Sequence, residues 1–190
     1  MKEDSSTNDK TRRDLLTRMG TGLVAITVNS AWGQVSPGQA RATGMALRQL
    51  SDPEGRTLEA LGDVVLPGSA AAGIAHYVDH QLASEAPLLM LKYVDYPGPF
   101  LNFYQQGLRS LESLGRARHG RSFHELSSDQ KVDLVREVSQ KNPPEWNGPP
   151  APLFYFVTRS DAVDVYYGTP EGFAKLKIPY MAHILPREKW

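Results

Sequence analysis

PFLNFYQQGLRSLESLGRAR, residues 99–118, carries the longest helical pattern in the chain. Phe100, Phe103, Tyr104, Gly107, Leu111 and Leu114 fall within one narrow arc at about 100° per residue, as in an amphipathic helix with one buried face. Pro99 suits the first helical turn, where a backbone N–H would be unpaired anyway. Gly107 stands near the middle of the apolar arc, which predicts a second helix crossing closely there. Arg116, Arg118, His119 and Arg121 then form a short basic run. Cations are favoured at a helix C-terminus by the macrodipole, so the run is read as local structure before it is read as an anion site.

Toward the C-terminus, Ser127-Ser128-Asp129-Gln130 has the form of a capping box and opens a helix through Val132, Leu134, Val135 and Val138. Phe123 and Leu126 are expected to pack just before its start. Residues 141–152 contain five prolines, Gly148 and Trp146, which excludes regular structure and predicts a linker or surface arm. The run from Leu153 to about Val165 is very apolar and continues through Asp161, Ala162 and Val163, favouring a buried helix over a strand. From Tyr166 to Trp190, glycines and prolines alternate with aromatics. Such a tail cannot form its own core, and it is expected to lie extended across this domain or a neighbour.

Toward the N-terminus, residues 86–97 read as a long loop around Leu88-Leu89-Met90-Leu91, a buried or strand-like insert. A helix is predicted from Ser69 to about Ser84, with Ala71, Ile74, Ala75, Val78 and Leu82 on one face. His76, Asp79 and His80 fall opposite that stripe. An i, i+4 histidine pair beside a carboxylate has metal-ligand chemistry. Its place on the wheel favours a solvated or partner-facing polar face instead. Another helix carries Leu58, Leu61, Val64 and Val65 and stops at Pro67-Gly68, and a weak helical stretch runs from Pro37 to Leu50, weakened by Gly44. The fold class is therefore all-α: a small irregular helical domain with long proline-rich loops and an extended C-terminal tail.

Composition narrows the chemistry. The chain has no cysteine, which removes disulfides, thiolate nucleophiles, iron–sulfur ligation and covalent haem attachment. Net charge is zero, and no basic patch argues for nucleic acid. No stretch is long and apolar enough to span a membrane.

Residues 1–33 have the grammar of an export signal. Arg12 and Arg13 precede Leu15 and Leu16, a mildly apolar segment runs from Gly20 to Val28, and Ala31-Trp32-Gly33 gives a small-x-small end. Paired arginines of this kind are an address for the Tat translocase rather than an anchor. Thr17 sits where lysine is usual. Removal of the signal leaves about 157 residues at 34–190, enough for one domain with a real core.

In this order and spacing the pieces resemble the small subunit of bacterial gluconate 2-dehydrogenase, the subunit 3 family. The resemblance rests on the twin-arginine start, the run from Leu58 to Pro67, the Gly73 to Leu82 helix with Asp79, the pattern Phe123-x-x-Leu126-Ser127-x-x-Gln130, and Val165-Tyr166-Tyr167-Gly168. Many members end in a double-glycine-asparagine motif and a Gly-Tyr-Pro-Gly. Here the corresponding stretches read Tyr167-Gly168-Thr169-Pro170 and Ile178-Pro179-Tyr180-Met181, which bears on which dehydrogenase is served.

The resemblance implies a non-catalytic chain that binds no cofactor itself. Its partner would be a large subunit like the glucose-methanol-choline (GMC) flavoproteins, oxidising a sugar, sugar acid or alcohol with FAD. A c-type cytochrome commonly carries the electrons onward on its haem. The small subunit would assist maturation and carry the folded flavoprotein to the periplasm by the Tat route, the complex then sitting peripherally at the membrane. Tyr166, Tyr167, Tyr180 and Trp190 are expected either as interface anchors or as a cover for this domain's own core. Two other readings stand beside this one. The first is an independent periplasmic enzyme using His76, Asp79, His80, His119, His124 or His183 as acid, base or ligand. The second is a binding module with a different partner.

Overall fold

The computed structural model describes residues 35–168 and 170–177, and all regular structure among them is helical, with no strand. The chain divides into a larger unit extending to Tyr166 and a smaller one containing the residues from Tyr167 onward. The expected signal at 1–33 lies outside the described residues, as do His183, Tyr180 and Trp190.

In the larger unit, α1 (Pro37–Ala42) is opened by a capping box between Ser36 and Gln39. It is shorter than the expected stretch to Leu50, because Gly44 takes the left-handed conformation at φ +67° and turns the chain away. Residues 45–50 continue as an irregular strap. Helix α2 (Asp52–Val65) starts where Glu54 reaches back to the amide and hydroxyl of Ser51, both at 2.9 Å. The Glu54 carboxylate thus caps the start, and Pro67-Gly68 follows its end as expected.

Helix α3 (Ile74–Leu82) begins five residues later than the periodicity from Ser69 predicts. The cause is Gly73, at φ +88°, whose missing side chain lets the Pro37 carbonyl approach the backbone directly. A Cβ there would collide with it. Residues 90–93 form α4 (Met90–Tyr93), a single helical turn rather than a strand-like insert. Leu89 and Leu91 are nevertheless fully buried, as the apolar run requires, while Leu88 faces out.

Helix α5 (Phe100–His119) buries Phe103, Tyr104, Leu108, Leu111 and Leu114, and Pro99 is its N-cap. A 3-10 turn (Phe123–Glu125) seats Phe123 in the core. Helix α6 (Ser128–Gln140) starts at the expected box, with Ser127 Oγ accepting from the Gln130 amide and Gln130 Oε1 from the Ser127 amide. Helix α7 (Ala151–Tyr167) is the apolar helix expected there. It lays Phe154 on Gly107, so closely that a methyl group at residue 107 would overlap the ring. The close crossing read from Gly107 is thus present.

Helix α2 is the hub: it packs against α3, α5, the 3-10 turn and α6, while α1 packs on α3. The segment between α6 and α7 is not a free arm. Pro143 and Pro149 are buried, Gly148 lies against Ser110 and the Gln106 carbonyl, and Trp146 donates its indole N–H to the Pro149 carbonyl at 2.6 Å. The Trp146 ring stands 5.7 Å from Phe154. Fixed proline dihedrals thus give an irregular segment that fits one surface. In the smaller unit, α8 (Pro170–Lys175) replaces part of the extended tail expected from the sequence.

Candidate functional site

The histidine-bearing face of α3 meets the strap. Asp79, buried at 5 % exposure, accepts the backbone N–H groups of Arg48, Gln49 and Leu50 at 2.9, 2.7 and 2.9 Å. His76 bonds the Met45 carbonyl through Nε2 at 2.8 Å. These bonds tie an irregular segment that has no helical ladder of its own for its amides. The polar face is therefore an internal clamp, not the solvated or partner-facing surface that helical spacing alone suggests. His80 is held below the ordinary histidine range by burial and by the Arg48 charge, with Asp79 pulling the other way. Beside the strap is a cavity of about 340 Å³ lined by Met45, Leu47, Arg56, Glu59 and His76 among others.

The remaining described histidines lie elsewhere. His119, in the last turn of α5, is 3.3 Å from the Gln130 amide nitrogen. His124 stands in the 3-10 turn, 3.8 Å from Glu112. Among the described residues, no group of three or more His, Cys, Asp or Glu side chains has an arrangement that could hold a metal ion. The basic run is local structure, as expected: Arg118 pairs with Glu137 and, at 3.1 Å, with Glu145. These hydrogen bonds hold both carboxyls below their ordinary range.

A second polar cluster was not legible as such. Asp161 on α7 is fully buried, and its Oδ2 accepts the Tyr104 hydroxyl of α5 at 2.5 Å. Its Oδ1 makes no hydrogen bond of normal geometry. Burial, opposed by the Tyr104 hydrogen bond and assisted by Asp164, pushes the carboxyl up to about 7. Burial also raises Asp164, and burial with the Asp161 charge raises Tyr104 and Tyr77. The available signal was an acid at a buried register of an apolar helix. The pairing itself spans 57 residues of sequence, which no local pattern carries.

Of the tyrosines expected at an interface, Tyr166 and Tyr167 are half-buried, and Tyr166 lies against Gly68. No curated protein and no solved structure matches the chain. The sequence model for gluconate 2-dehydrogenase subunit 3 matches residues 52–183. That span begins at the first residue of α2 and includes both Asp79 and the Tyr104–Asp161 pair. With more than half its length matched by that one model, the chain belongs to the gluconate 2-dehydrogenase subunit 3 family.

Proposed function

We propose that this chain is the non-catalytic small subunit of a periplasmic, membrane-associated, FAD-dependent dehydrogenase acting on a sugar, sugar acid or alcohol. FAD belongs to the GMC-type large subunit, and haem c to a cytochrome subunit where one is present. The chain assists folding of the flavoprotein, and the twin-arginine segment with Arg12, Arg13, Leu15 and Leu16 addresses the loaded pair to the Tat translocase. Tyr166, Tyr167, Tyr180 and Trp190 are the proposed anchors on the partner.

The observation that supports this reading is the family match over residues 52–183. The described polar side chains are consistent with it: Asp79 and His76 secure the strap, and Arg118 joins α5 to α6. Each serves the fold.

The test is co-expression with the neighbouring gene products, with a tag on this chain. The expected eluate carries a flavin spectrum and dye-linked dehydrogenase activity, whereas the chain purified alone has no turnover. Deleting residues 1–33 is expected to strand the flavoprotein in the cytoplasm. A flavoprotein that still reaches the periplasm overturns the escort role, and a colourless eluate overturns the partnership.

A further inference from the structure

We propose that residues 45–50 form a strap that opens as a unit from the body of the domain, hinged at Gly44 and fastened by Asp79, and so uncovers the polar face of α3. The strap runs between two anchored ends. Before it, α1 is fixed on α3 through the buried Pro37 and Ala40, with the Pro37 carbonyl against Gly73. After it, α2 starts at Asp52 and enters the core along Leu58 and Leu61.

The attachments of the strap itself are of another kind. The Met45 amide bonds the Ala40 carbonyl at 3.0 Å and closes the turn that ends α1. Beyond it, among the described residues, no amide from 46 to 50 has a backbone acceptor. Those of Arg48, Gln49 and Leu50 all go to the one carboxylate of Asp79, and the Met45 carbonyl goes to His76. Leu50 is buried, but Met45, Leu47 and Gln49 are only half-buried, and Ala46 and Arg48 are exposed. Leu47 rests on Gly55 of α2. The cavity of about 340 Å³ nevertheless lies between this segment and the helices, with Met45 and Leu47 on one side and Arg56, Glu59 and Ala75 on the other. Unfilled space forfeits the dispersion contacts that a packed segment gains.

A segment with few buried apolar contacts, and with its bonds gathered on one acceptor, opens at a lower free energy than the helices it joins. Leaving Asp79 releases three amides together, so the opening is concerted. At the hinge, Gly44 holds φ +67° with no atom within 4 Å of the place a Cβ would take. No neighbour presses on it, and glycine changes φ at little cost when the strap swings. With the strap open, His76 and Asp79 lose their strap partners and, with His80, face outward. That is the disposition helical spacing alone assigns to them.

Native-state amide hydrogen exchange on the full chain, followed through a series of low denaturant concentrations, tests the strap. The reporters are the amides of Arg48, Gln49 and Leu50, set against those at the centre of α5. The strap amides are expected to exchange about tenfold faster or more than those of α5, and almost independently of denaturant because little surface is exposed on opening. Protection and denaturant slope equal to those of α5 overturn the proposal, and this comparison needs no variant. Asp79→Asn, which keeps one acceptor oxygen, is expected to speed strap exchange about tenfold or more; an unchanged rate overturns Asp79 as the fastening. Gly44→Ala, which adds a left-handed cost to the closed turn without a collision, is expected to speed it about five- to thirtyfold; an unchanged rate overturns the hinge.

Discussion

A carboxylate that accepts three backbone amides does what a whole turn of helix does elsewhere in this chain. Asp79 satisfies Arg48, Gln49 and Leu50 at once, and Leu50 is buried. Asp79→Ala leaves those donors without their acceptor and is expected to lower unfolding stability by about 3 kcal/mol. Asp79→Asn, which retains one acceptor oxygen, should lose less. Denaturant unfolding of the two variants checks the order. Asp161 acts in the opposite electrostatic sense. Burial raises its folded pKa from 3.8 to about 7, so the folded state keeps a proton that the unfolded state releases. The associated stability is complete below the unfolded value and is lost as pH rises toward the folded one. Unfolding free energy is therefore expected to fall by an amount on the order of a few kcal/mol from about pH 4 to pH 7.5 and then level off. Asp161→Asn should remove this component of the pH dependence.

At the scale of elements, Gly107 is the point where α5 and α7 are fitted together. Gly107→Ala puts a methyl group into the Phe154 ring, an overpacking cost of about 1–3 kcal/mol, against a gain of up to about 1 kcal/mol in helix propensity. The variant should be less stable, and adding Phe154→Leu should recover part of the loss. If Gly107→Ala is neutral or stabilising in thermal melts, the close crossing is not a determinant of stability. Elements of this kind were legible in the chain because their determinants are local. Periodicity marked α2, α5 and α6, a continuous apolar run marked α7, and Ser127 with Gln130 marked a helix start. What escaped was tertiary in origin. The late start of α3 depends on a carbonyl from Pro37, and the polar face of that helix could not be oriented without knowing that a strap about thirty residues earlier needed acceptors. Helix α4, at one turn, is shorter than any period can reveal.

At the scale of the molecule, a chain without cysteine must be stabilised by packing and hydrogen bonding. A large part of that packing is visible around α2 and along α5, whose inward residues are almost entirely withdrawn from water. A domain held in this way needs no oxidising compartment to fold, which suits the proposed export of an already folded pair. The escort reading makes its strongest demand here, because residues 1–33 must direct two proteins with one address. Fractionation of the partner after their deletion is the measurement that addresses that demand.

The fitted segment between α6 and α7 has an optical consequence. The chain has tryptophans only at positions 32, 146 and 190. With residues 1–33 removed and Trp190→Phe in place, Trp146 is the sole indole fluorophore, pinned by its N–H to the Pro149 carbonyl and set against Phe154. Its emission wavelength then reports, without any label, when the proline segment lifts away from the helix pair beneath it.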